Sequence, residues 1–257
     1  MRNIVNSLWI GRIGPLEQLS LRSFVRHGYQ VRLWTYGELQ ITMPGVSVMN
    51  ANDILPAALI PEFRYSNSSS FSAFSNVFRY KLLADHGGIW VDLDNVCLKS
   101  RDVSAEYVFP SLSSRYHLGR ETSQFGGVEI DSWFIKSPIN SPMMRYCFSK
   151  SYQYKGKMPK WGTLGPVLLN EAVRRFDLLP FANTHFMPIN WQHAHRYFAD
   201  DFWFRNLFSL FRLRSWTAHL YRETLRAKNL LKPDAIHERS VLYRLFKENS
   251  VDMNGPW

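Results

Sequence analysis

The apolar positions in the first hundred residues switch repeatedly between a period of two and a period of about 3.6, the repeats of strand and helix. A run over residues 3–9, ending Leu8-Trp9, predicts a first strand. Residues 15–27 then take helical spacing, with Pro15 in the first turn, where a missing N–H costs nothing, and Gly28 as the stop. Residues 30–36 predict a second strand, and 46–49, just after Pro44-Gly45, a short third. Strand, helix and strand in that order imply a parallel sheet, hence an α/β protein. Phe74, Val77, Phe78 and Leu82 form one face of a helix over residues 72–84, with Ser72, Ser75, Asn76 and Arg79 on another. A Ser/Asn-rich stretch, 66–70, predicts a mobile loop before it. Residues 171–257 read as mainly helical, broken at Pro180, Pro188 and Pro233 and ended by 254–256.

The densest chemistry lies at Gly87-Gly88-Ile89-Trp90-Val91-Asp92-Leu93-Asp94. In an extended backbone, residues i and i+2 point the same way, so Asp92 and Asp94 are expected to converge on one cation. A hard ion such as Mg2+ or Mn2+ takes oxygen ligands and shares itself between one or two carboxylates and a substrate's phosphates, which points to a diphosphate ligand. The helix carrying Arg79 runs through Asp85-His86-Gly87-Gly88 into this segment. Its planar guanidinium is expected beside the metal, gripping a phosphate or sugar oxygen.

Asp-x-Asp alone is a common chance pattern. The longer string, Ser75-Asn76-Val77-Phe78-Arg79-Tyr80 followed by Gly87 to Asp94, is more specific, and it resembles the glycosyltransferases whose sugar-binding region contains a DXD motif. That family includes bacterial capsule and lipopolysaccharide transferases and, more distantly, the clostridial glucosylating toxins. Val5-Asn6-Ser7-Leu8-Trp9-Ile10-Gly11 resembles its first strand, whose Trp stacks on the nucleotide base. Val128 to Ile135 resembles the segment against the donor sugar, and Gly165-Pro166-Val167-Leu168-Leu169 a later Gly-Pro stretch. Asn76 stands where Asp is usual, Asp131 where Asn is common, and Arg12 where a second Gly is frequent.

The resemblance implies a nucleotide-diphospho-sugar transferase fold of the GT-A type, a Rossmann-like, mostly parallel sheet with a mainly helical C-terminal part. It implies one domain over 1–257, with a nucleotide-binding half, 1–100, ending in the DXD motif and a sugar and acceptor half, 101–257. The implied activity is metal-dependent transfer of a sugar, with retention, from a UDP-sugar to a glycan or lipid-linked acceptor in surface polysaccharide synthesis. Asp94 and Asp92 would hold Mn2+ or Mg2+, with His219 returning from the C-terminal region as a further ligand. Leu8, Trp9, Asn76, Arg79, Tyr80 and Asp92 would bind the donor, and Asp131 is the nearest carboxylate for a nucleophilic role. Taken alone, Trp9 reads as core and His219 as structural.

Length and composition agree with a single large core: 257 residues, 46% hydrophobic and 15% aromatic. Cys97 and Cys147 make no disulfide framework, and neither a signal segment nor an apolar run of the roughly 20 residues that span a bilayer is present. A cytoplasmic, bacterial protein is expected. The excess of 31 basic over 21 acidic residues attracts phosphates of any kind. Residues 202–216 mix Phe, Trp and Leu with Arg205, Arg212 and Arg214 and no acid, so they predict either peripheral contact with the anionic inner face of the inner membrane or a buried helix with a cationic edge. Nucleic acid is not expected, for no recognised signature accompanies the charge.

Two rival readings stand beside the transferase. Asp92 fits superficially as an aspartyl nucleophile of a phosphotransferase with Asp200-Asp201 as later metal ligands, although about 90 residues precede it. The other rival is a non-enzymatic basic module for membrane or nucleic acid. His193-Ala194-His195 lacks a partner at zinc spacing and reads as surface or packing.

Overall fold

The computed structural model describes residues 4–38, 43–66, 70–101, 104–110, 130–178, 186, 189–255 and 257. The expected start of the first strand at Asn3, most of the 66–70 loop, residues 128–129, Pro180, Pro188 and Pro256 lie outside them. β1 (Ile4–Trp9), β2 (Gln30–Thr35) and β3 (Val46–Asn50) form successive parallel pairs, with α1 (Pro15–Arg26) crossing between the first two. α2 (Ser72–His86) then leads into β4 (Gly88–Val91), which pairs parallel to β1 on its other side. The sheet is closed by β6 (Phe134–Ser137), antiparallel to β4, in the order β3-β2-β1-β4-β6; β5 (Asn95–Cys97) lies outside it. The mostly parallel α/β sheet is therefore as the alternation predicts.

α2 is fifteen residues long because its Phe74, Val77, Phe78 and Leu82 face is wholly buried, and it stops at Gly87, whose φ of +61° favours glycine. A Cβ on Gly87 would lie 2.4 Å from the Ile139 nitrogen, so the turn into β4 is sealed by the chain that follows β6. β6 is in turn followed by α3 (Pro142–Tyr152), capped by Ser141, whose side chain accepts from the Met144 N–H.

The C-terminal part is less helical than its sequence suggests. It holds α4 (Leu168–Arg175), α5 (Phe202–Arg212), α6 (Arg222–Ala227) and α7 (Val241–Glu248), yet also a strand, β7 (Thr217–His219), that pairs antiparallel with β5. Three residues are too few for a legible period, and only pairing with β5 makes them a strand. Both sheets draw strands from each half of the chain, β4 with β6 and β5 with β7. Cys97 and Cys147 are buried and unbridged.

Candidate active site

β1 has β2 on one side and β4 on the other, so the chain reverses its direction of travel across the sheet between them, the point where open α/β sheets leave a crevice. A chamber of about 400 Å3 opens there. Leu8, Trp9, Ile10 and Arg12 line it from the end of β1, Ser72, Ser75 and Arg79 from α2, and Arg222, Glu223 and Arg226 from α6. Asp92, Leu93 and Asp94 form its floor. A second chamber of about 220 Å3 shares Ser72, Arg79, Asp92, Asp94 and Glu223 and adds Asn76, Asp131, Ser132, Trp133, His219 and Tyr221.

Asp92 and Asp94 are brought together by a turn between β4 and β5, not by the period of a strand. The Asp92 N–H donates to the Trp133 carbonyl at 2.9 Å, and the Asn95 N–H closes the turn on the Asp92 carbonyl at 3.1 Å. Asp92 Oδ1 accepts from Trp90 Nε1 at 2.8 Å and from Arg79 Nη2 at 2.9 Å. Arg79 is 3% exposed, lies 5.0 Å over the Trp90 ring, and also donates to the Ser132 carbonyl. The guanidinium expected to grip a ligand is thus largely committed to orienting Asp92 and tying it to the segment before β6. Burial raises the Asp92 pKa despite the Arg79 charge.

Asp94 Oδ2 accepts the Arg222 N–H at 2.8 Å and lies 3.1 Å from His219 Nε2, while Oδ1 is buried with no partner among the described residues. Burial pulls its pKa up, but His219 and Arg222 outweigh this and hold the carboxyl below its ordinary value. At His219 burial pulls the pKa down, and Asp94, with Asp131 and Asp92, overcomes it and pushes the imidazole up. The histidine stacks on Trp133 at 5.0 Å between ring centres and has Tyr221 at 4.0 Å. Through Nε2, His219 buttresses the Asp94 carboxylate. Nδ1 is buried without a partner among the described residues.

Among the described residues no group of three His, Cys, Asp or Glu forms a ligand set. An orphaned Asp94 oxygen beside an Asp92 that is a third exposed nevertheless fits a hard divalent ion taking its remaining ligands from phosphate and water.

The other expected donor contacts divide. Leu8 and Trp9 line the larger chamber, with one face of Trp9 under the Arg222 guanidinium at 5.2 Å. Asn76 lines the smaller one; its Nδ2 donates to the Tyr65 hydroxyl at 2.9 Å and its Oδ1 has no partner among the described residues. Gly165 makes this possible, since a Cβ there would stand 3.1 Å from the Asn76 amide. Tyr80 reaches neither chamber. Wholly buried, it donates to the Leu164 carbonyl at 2.9 Å and so holds the turn that carries Gly165. Asp131 lines the smaller chamber, its Oδ1 accepting the Ser132 N–H at 2.7 Å and its pKa raised by burial against the pull of His219.

Asp200 and Asp201 are far from phosphotransferase geometry: they pair with Arg205 and Arg239, and with Arg196, at the start of α5. The sequence reading missed Glu17, which is buried and binds Arg222 Nε at 2.8 Å, fixing α6 to α1 across the cleft. No local signal marks a partner 205 positions away. It also missed Arg222 and Tyr221, which the β5–β7 pairing brings in.

Residues 23–110 match the model of the glycosyltransferase sugar-binding region containing a DXD motif. A comparison with curated proteins gives no match. Among solved structures, the PaToxG glycosyltransferase superposes at a TM-score of 0.46 and 13% identity, over 68% of this chain and 69% of that one. The apo form of the glycosyltransferase GlyE of Streptococcus pneumoniae TIGR4 gives 0.46 and 13% over 99% of this chain, which spans 65% of the length of GlyE. At such TM-scores neither likeness assigns a role to any residue here.

Proposed function

We propose, from the match of residues 23–110 to the glycosyltransferase sugar-binding region containing a DXD motif, that this chain moves a sugar from a UDP-sugar to an acceptor hydroxyl with the help of Mn2+ or Mg2+. The observation that carries the metal is the buried Oδ1 of Asp94, without a partner among the described residues, on the cleft floor beside Asp92. Bound by these two carboxylates, the ion would offset the negative charge that grows on the departing nucleoside diphosphate. Arg12, Arg222 and Arg226 line the same chamber and favour a diphosphate there. Trp9, at the end of β1, is the side chain available to the base. Asp92 stays fixed by Arg79 and Trp90, so the oxygen it presents costs little reorganisation when charge develops.

Retention of configuration is part of this proposal, by front-face attack assisted by the leaving phosphate, with Asp131 as the carboxylate nearest to hand. A role in surface polysaccharide synthesis at the inner membrane belongs to it too. Arg205 and Arg212 are paired with Asp200 and Glu248, so membrane contact rests on the exposed Phe202, Trp203, Leu210 and Leu213 of α5 and the residue after it. Among the described residues no helix is long and apolar enough to cross a membrane.

The test is release of UDP from a panel of UDP-sugars with Mn2+ and no acceptor. Hydrolysis abolished by chelator and by Asp94→Asn is expected; hydrolysis indifferent to both would overturn the metal assignment.

A further inference from the structure

The two chambers differ in charge. The larger has three arginines of its own, Arg12, Arg222 paired with Glu17, and Arg226 paired with Glu223, whereas the smaller adds Asp131 and His219, the latter held by Asp94, to the shared carboxylates. Its single arginine, Arg79, is already bound to Asp92. A second anion is therefore disfavoured in the smaller chamber, and a neutral ligand suits it.

Two tryptophans at this chamber stand out from most others in the chain. Trp34, Trp90, Trp133 and Trp216 are buried, but Trp161 is 67% and Trp191 48% exposed, and both line the smaller chamber. Neither sits on a loose end. Trp161 precedes Gly162, whose φ of +85° turns the chain into the segment Thr163–Val167, and Trp191 opens a 3-10 helix capped by the Asn190 side chain. Between them the walls carry hydrogen-bonding groups without partners among the described residues, Asn76 Oδ1 and Trp133 Nε1. Flat apolar rings beside unspent donors and acceptors, under a negative potential, complement a ligand with C–H faces and neutral hydroxyls.

Resting on the glycosyltransferase reading, we propose that Trp161 and Trp191 form the acceptor platform and that the acceptor is a neutral saccharide, whose ring lies on the indoles with a hydroxyl directed toward Asp131. The carboxylates on the chamber floor argue against a lipid phosphate.

The platform is tested by saturation-transfer NMR on the full chain with UDP and Mn2+ present, using maltose, cellobiose and lactose as probes and, separately, vesicles containing a polyprenyl phosphate. Saturation of sugar C–H protons is expected for at least one disaccharide, with Kd raised about tenfold in Trp161→Ala and in Trp191→Ala, recovered in the Phe variants, and unmoved in Trp203→Ala, whose indole lies on α5 outside both chambers. Unchanged melting temperatures establish that the variants fold. Binding of no disaccharide, equal binding by the alanine variants, or binding of the polyprenyl phosphate alone would overturn the proposal. UDP-sugar hydrolysis, measured on the same protein, reports on the donor reading: its absence alongside Trp-dependent saccharide binding would sink that reading and leave the platform standing.

Discussion

Asp94 has one oxygen held by His219 and the Arg222 N–H and one with no partner among the described residues. Replacing it with Asn keeps the shape but removes the charge, and turnover should fall by at least about 10²-fold, the scale expected when a metal's several kcal/mol of charge stabilisation is lost. His219→Ala leaves the carboxylate in place without its support. Steady-state kinetics should show a milder loss, about 10- to 100-fold, relieved in part by raising Mn2+, as befits a residue that orients a ligand; a loss as deep as that of Asp94→Asn, unmoved by metal, would mean the imidazole itself contacts substrate. Arg79 bears on both stability and function. Arg79→Lys cannot reach Asp92 and the Ser132 carbonyl together, and losing one charge-assisted hydrogen bond at this largely buried arginine costs about 1.5–3 kcal/mol. Urea unfolding should register that cost along with the lost activity. A variant as stable as wild type but inactive would instead mark the guanidinium as a direct donor contact.

At the scale of elements, the ends of helices decide where side chains go. Gly87→Ala forces a Cβ to within 2.4 Å of the Ile139 nitrogen at a φ that costs about 1–2 kcal/mol by itself, so a loss well beyond 2 kcal/mol is expected in thermal or urea unfolding. α5 begins at Asp201, whose side chain accepts the Phe204 N–H at 2.9 Å and Arg196 Nε at 2.7 Å. The hydrogen bond from Arg196 holds its pKa below the ordinary value. A lowered folded pKa means that the stabilisation is complete above the unfolded value, about 3.9, and is lost as pH falls through the folded one. Asp201→Ala should cost about 1 kcal/mol near neutral pH and flatten the acid limb of the stability curve; an unchanged limb would show that another carboxylate sets it.

On the scale of the whole molecule, the DXD turn is shared property. β4 and β5 deliver it from the first hundred residues, and β6, β7 and the start of α6 supply Ser132, His219 and Arg222 from the second half. α5 turns Phe204 and Phe208 into the core and leaves Phe202, Trp203, Leu210 and Leu213 exposed. With both arginines of α5, Arg205 and Arg212, in internal ion pairs, any vesicle binding should be apolar in character. Sedimentation with anionic vesicles should therefore weaken more on replacing Phe202 and Trp203 with Ser than on replacing Arg205 and Arg212 with Gln; the reverse order would restore an electrostatic contact, and no binding would confine α5 to a structural role.

By itself the sequence determined β1, α1, β2, β3, α2 and the face of α2 that carries Ser72, Asn76 and Arg79, because period, proline and glycine are local signals. The Gly-Gly-to-Asp-x-Asp run likewise marked the floor of the cleft. What only the tertiary structure decided is how these groups are spent. Arg79 went to Asp92, Tyr80 to a carbonyl in the core, and His219 to Asp94, because each outcome depends on a partner up to 125 residues away. The three-residue β7 exists only through pairing with β5, and the chambers, with different charged linings and two exposed tryptophans on one rim, exist only once α2, β4 and α6 stand around the same floor.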